Sequence, residues 1–137
     1  MTTGRAPKDT DFTVELEGVG SFRFARRTFG DRIKIRGEVA RLSRGFGDDL
    51  DAVAEVTILA VYKTLLVSCP PGWEDMESID LVDRPATEEQ AWQLFMKLQQ
   101  AEERFRQGRD SARKEGGQGD SAVDTVLVPP ALQPAAQ

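Results

Sequence analysis

The chain has 137 residues, 39% hydrophobic and 30% charged, with 18 basic and 23 acidic side chains and a formal net charge of −5. That length holds one modest domain with flexible ends, too little for two ordinary domains. With no histidine and a single cysteine, Cys69, the composition excludes histidine-based catalytic triads, histidine metal centres and an internal disulfide.

Residues Met1 to Thr10 show no periodicity and read as a mobile lead-in. Phe12 to Glu17 alternates apolar with polar residues, and the alternation resumes around Phe22 and Phe24. Gly18-Val19-Gly20 between the two runs is a turn signal, which predicts a β-hairpin that must pack on something to be stable. Thr28-Phe29-Gly30-Asp31 then has the spacing of a capping box, with Asp31 in the place of the usual glutamate. Ile35, Val39, Leu42 and Phe46 follow at helical spacing, joined by Phe29, Ile33 and Ala40 on a neighbouring stripe. Gly37 in this helix costs about 1 kcal/mol relative to alanine. Gly45-Phe46-Gly47 ends the helix, and Asp48-Asp49 caps the next.

Leu50 to Val67 is the most apolar segment and reads as a helix apolar on more than one face, central to the core or to a subunit interface. Its β-branched end, Val61 to Val67, also fits a strand. Cys69-Pro70-Pro71-Gly72-Trp73 breaks it sharply, because two prolines enforce an extended course and Gly72 permits a turn. Trp73 then folds its ring back as an aromatic plug. An acidic loop from Glu74 to Arg84 precedes the last helix. Thr87 is expected as its N-cap, with Gln90 at the box position and an end near Gln107. Beyond Gly108 the composition is that of a disordered tail, apart from the short apolar run Val123 to Val128. The organisation is therefore a mobile stretch over 1–10, a hairpin-plus-helices domain over 11–107 and a tail over 108–137. The fold class is α+β, mainly α, with an N-terminal hairpin followed by about three helices.

Charge is segregated along the chain. Phe22 to Arg44 carries eight basic residues against two acidic ones, and Asp48 to Glu103 carries thirteen acidic against three basic. Such segregation supports either a head-to-tail homo-oligomer or pairing within one fold, and for one small domain the internal arrangement is the simpler expectation. The acidic remainder opposes binding of a polyanion, so no nucleic acid is expected as a partner. Asp51, Glu55 and Lys63 interrupt the apolar helix, so no membrane span is expected either, and no N-terminal export signal is visible. Cys69 has no base nearby in sequence, and the carboxylates of Glu74 to Asp83 lack the spacing of a calcium loop. No enzyme activity, cofactor or metal is expected.

The order of elements has a counterpart. Asp11-Phe12-Thr13-Val14-Glu15-Leu16 opens a hairpin, Thr28-Phe29-Gly30-Asp31 starts a basic helix, and Asp51-Ala52-Val53-Ala54-Glu55-Val56 lies in an apolar one. Pro70-Pro71-Gly72-Trp73 and a final amphipathic helix complete a succession that resembles the tail assembly chaperones of long-tailed bacteriophages, over roughly Asp11 to Gln107. The resemblance implies a non-enzymatic protein of the infected host cytoplasm, absent from the finished virion. Its implied partners are the tape-measure protein, which it keeps soluble, and the tail-tube protein, which it helps recruit. Leu59, Tyr62, Leu66, Trp73, Trp92 and Phe95 are the candidate partner-binding residues, on the apolar helix, the connector and the last helix. The competing readings are a neck or tail component retained in the virion, and a small nucleic-acid-binding regulator using Arg23 to Arg36.

Overall fold

The structure is a computed structural model and describes residues 4–116. The chain divides into two units, Met1–Glu102 and Glu103–Gln137. The run Val123 to Val128 lies outside the described residues. In the first unit the elements are strands β1 (Phe12–Leu16) and β2 (Gly20–Phe24), helices α1 (Phe29–Leu42) and α2 (Leu50–Leu65), strand β3 (Leu66–Ser68) and a single 3-10 turn, Met76–Ser78. The last helix, α3, spans Thr87–Gly116, so it continues past the expected end near Gln107. Within the second unit, Arg106 pairs with Glu103 one turn away at 2.5 Å.

The hairpin forms as the alternation predicts. Val14 and Leu16 of β1 and Phe22 and Phe24 of β2 point inward, and the register sets Val14 opposite Phe22. The three-residue loop needs Gly18 in the left-handed region, at φ 80°. What the hairpin packs on is partly a third strand. The apolar helix stops at Leu65, and its β-branched continuation turns extended as β3, which pairs antiparallel with β2. The sheet order is β1-β2-β3, with an irregularity at Arg23 and Phe24 that lets the Ala25 N–H donate to the Leu65 carbonyl at 2.8 Å. Helix and strand are both present in the segment Leu50 to Val67, which the sequence reads as helix to Val67 with a strand as the alternative for its end.

The core is built where β2, α2 and α3 meet. Phe22 lies edge-on to Trp73 at 5.3 Å between centroids and to Tyr62 at 6.3 Å, and Phe24 meets Tyr62 at 5.9 Å. Such edge-to-face pairs contribute about 0.5–1.5 kcal/mol each beyond the area they bury. Leu94 and Leu98 of α3, four residues apart, supply its buried stripe. The connector folds back on the hairpin: a Cβ on Gly20 would come within 3.0 Å of the Pro70 ring.

Helix α1 is capped as expected. The Thr28 hydroxyl accepts from the Asp31 N–H at 3.1 Å, and the Asp31 carboxylate accepts from the Thr28 N–H at 2.9 Å. Two features differ from expectation. The helix ends at Leu42, leaving Phe46 in the following turn, 43% exposed. Only the stripe holding Asp31, Ile35 and Val39 packs inward, while Phe29 and Ile33 face solvent at 75% and 58% exposure. The segment before β1 is also tied down from Arg5 onward. Its guanidinium donates to both Asp31 carboxylate oxygens, at 2.9 and 3.0 Å, and to the Thr64 carbonyl at 2.9 Å. Nearby, Arg23 closes on Asp11 at 2.8 Å and on the Lys8 carbonyl at 2.8 Å.

Candidate functional site

The candidate partner-binding residues separate by burial. Tyr62, Leu66 and Trp73 are at most 4% exposed and belong to the core. The Tyr62 hydroxyl donates to the Trp73 carbonyl at 2.5 Å, locking the connector onto α2, and burial pushes that phenol far above its usual range. The exposed edge of the Trp73 pocket is closed by Arg84, whose guanidinium stands 5.1 Å from the indole and donates to the Gly72 carbonyl at 2.8 Å. Phe95 is half-buried and borders a gap of about 10 Å³ against Phe24, Tyr62 and Leu94. That space is about that of one water, so it is a packing imperfection with no room for a ligand.

Leu59 and Trp92 have a different setting. Both line a groove of about 340 Å³ formed by one face of α2, the 3-10 turn, the acidic loop and the first turns of α3. Its floor and walls include Val56, Leu59, Leu81, Ala91 and Trp92, and its rim carries Glu55, Glu77 and Glu88. Leu81 is 54% exposed. Helix α2 supplies its half because the segment is apolar around most of its circumference, and the sheet and α1 cover only part of it. Burial, with Glu88, Asp51 and Asp49 close by, raises the Glu55 carboxyl above the usual range. The rim is therefore a place where negative charge is crowded. The Glu77 carboxylate has Lys63 at 3.4 Å, and Glu55 and Glu88 have no ion-pair partner among the described residues.

Thr87 completes the groove and departs from its expected role. Helix α3 begins at Thr87, with the Gln90 N–H bonded to the Ala86 carbonyl at 3.0 Å, so Ala86 holds the cap position. The Thr87 side chain is pressed into the fold, 4% exposed, and its hydroxyl has no hydrogen-bond partner among the described residues. An unsatisfied buried hydroxyl costs roughly 1–3 kcal/mol, so Thr87→Val is expected to raise stability by about 0.5–1 kcal/mol. A chemical-denaturation midpoint that moves upward with an unchanged slope is the result to look for.

The charge segregation is partly resolved inside the first unit. Arg27 reaches Glu102 at 3.3 Å, and Lys63 bridges toward Glu38 at 3.5 Å. Arg32, Lys34 and Arg36 on α1 remain exposed, with no ion-pair partner among the described residues. Beside them lie the exposed Phe29 and Ile33, a surface whose exposure the periodicity does not reveal.

Cys69 is buried, and burial together with Glu74 holds its thiol above the ordinary value, hence protonated and unreactive. Among the described residues no cluster of three or more acidic or cysteine side chains could hold a metal ion, and no helix is long and apolar enough to cross a membrane. Comparison with protein-family models, with curated proteins and with solved structures found no match to the chain.

Proposed function

We propose that this chain is a tail assembly chaperone of the kind its element order resembles, a non-enzymatic protein that binds the tape-measure protein and helps recruit tail-tube subunits. The observation that carries the reading is the groove between α2 and the start of α3, an open apolar trough with Leu59, Leu81 and Trp92 in its lining. A protein that holds an aggregation-prone helical client in solution needs such a surface, since an amphipathic helix docks by laying its apolar stripe into a trough. Charge around the trough keeps the holder soluble while the trough is empty. Binding of the client to this surface stabilises both partners by mass action and needs no chemistry.

The test is co-expression with the tape-measure protein from the same genome. The tape-measure protein is expected to stay soluble and to co-purify only when this chain is present. Leu81→Glu, at an exposed position of the groove, is expected to reduce co-purification at least tenfold while the circular dichroism spectrum is unchanged. Unchanged solubility without the chain overturns the chaperone reading. Detection of the chain in purified particles then favours a component retained in the virion.

A further inference from the structure

The groove has an apolar lining and an acidic rim, and the outward face of α1 has the opposite complement. Phe29 and Ile33 are one helical turn apart and point to solvent. Arg32 and Arg36 repeat the same four-residue step beside them, and both are exposed without an ion-pair partner among the described residues. Farther along this face, Gly37 and Ala40 are exposed, and a Cβ at Gly37 would meet nothing within 4 Å. A neighbouring backbone can therefore approach the helix closely there.

We infer that the outward face of α1 in one copy docks into the groove between α2 and α3 of a second copy, giving head-to-tail self-association. Phe29 and Ile33 enter the apolar trough, whose volume of about 340 Å³ has room for two large side chains. Arg32 and Arg36 come to rest against Glu55 and Glu88, two neighbouring carboxylates that have no cation of their own among the described residues. Guanidinium groups placed there relieve the like-charge crowding on the rim and form charge-assisted hydrogen bonds. The two surfaces are different patches of one chain, so the contact is heterologous. Each added copy leaves one free α1 face and one free groove, and growth continues until the geometry closes a ring. This inference concerns the chain alone and stands apart from the identity of any client, although a client seated in the groove competes with the second copy.

The test is sedimentation velocity of the full chain over a hundredfold concentration range, with two variants. One reverses the α1 face (Arg32→Glu with Arg36→Glu), and the other reverses the rim (Glu55→Lys with Glu88→Lys). Wild type is expected to increase in mean mass with concentration, and to lose at least tenfold in association constant on raising salt from 50 to about 500 mM, as exposed charge pairs do. Each variant alone is expected to be monomeric with an unchanged circular dichroism spectrum. Mixed one to one, they are expected to associate again, because the rim variant's unaltered α1 face fits the α1 variant's unaltered groove, and the glutamates of one reversed surface pair with the lysines of the other. A wild type that is monomeric throughout the range overturns the inference. So does association that survives in both variants, and so does a mixture that stays monomeric.

Discussion

Replacing Trp73 by alanine should lower the stability of the fold by about 3–5 kcal/mol, the usual cost of removing a large buried aromatic. The indole is 2% exposed and is enclosed by Phe22 on one side and Arg84 on the other. Little around it can collapse into the space. Pro70 and Pro71 restrict the connector, and the Trp73 carbonyl is held by the Tyr62 hydroxyl. Denaturant unfolding of the variant should show a lower midpoint with the slope of the wild type. Trp73→Phe should recover part of the loss by refilling part of the volume. A loss below about 1 kcal/mol would mean that the ring contributes little to the core, and its exposure to a partner would then have to be reconsidered.

The second large effect is expected at Arg5, a residue that composition and periodicity leave in a lead-in without structure. Its guanidinium grips both oxygens of Asp31 and the last turn of α2 through the Thr64 carbonyl, so one side chain joins the start of α1 to the end of α2. Asp31 is 4% exposed. Arg5→Ala leaves that carboxylate buried with only its Thr28 bonds. The expected cost is about 2–3 kcal/mol, below the range for fully buried pairs because the Arg5 side chain is partly exposed to water.

The same pair sets a pH dependence. Hydrogen bonding from Arg5 foremost, helped by the bonds to Thr28 and opposed by burial, lowers the Asp31 carboxyl from 3.8 to about 2. A carboxyl whose folded value is depressed stabilises the fold above its unfolded value. Its contribution should therefore be complete above about pH 4 and vanish as the pH falls toward 2. The stability difference between wild type and Arg5→Ala, measured by denaturant unfolding, should shrink over that window and be constant from pH 5 to 7. A difference independent of pH down to 2 would assign the role of Arg5 to packing and to the Thr64 carbonyl alone.

The candidate surface divides along the same line between local and non-local information. Leu59 and Trp92 could be picked out in sequence as large apolar residues on helices, and they do line the groove. Tyr62, Leu66 and Trp73 carry the same signal but are buried, because apolar character does not distinguish a core position from an exposed one. Leu81, Glu55 and Glu88 come from three separate segments, and nothing in their local sequence indicates that they border one trough.

What the sequence by itself determined was whatever depends on near neighbours. The alternation around Phe12 to Phe24 and the turn at Gly18 specify the hairpin, because the side-chain period and the left-handed glycine are local properties. The Thr28 and Asp49 caps are legible for the same reason, each being a side chain bonded to a backbone N–H three residues on. Tertiary structure alone decided which of two apolar stripes on α1 is buried. Ile35 and Val39 pack inward, whereas Phe29 and Ile33 are left out, and helical periodicity is satisfied by either choice. It also turned Leu66–Ser68 into a strand, since the hydrogen bonds that make it one come from β2, more than forty residues away in sequence. At Thr87 it overrode a good local cap signal: the side chain is buried against the groove, and Ala86 takes the cap position. Local propensities are worth about 1 kcal/mol or less per residue, and burial of a large side chain is worth more, so where the two conflict packing prevails.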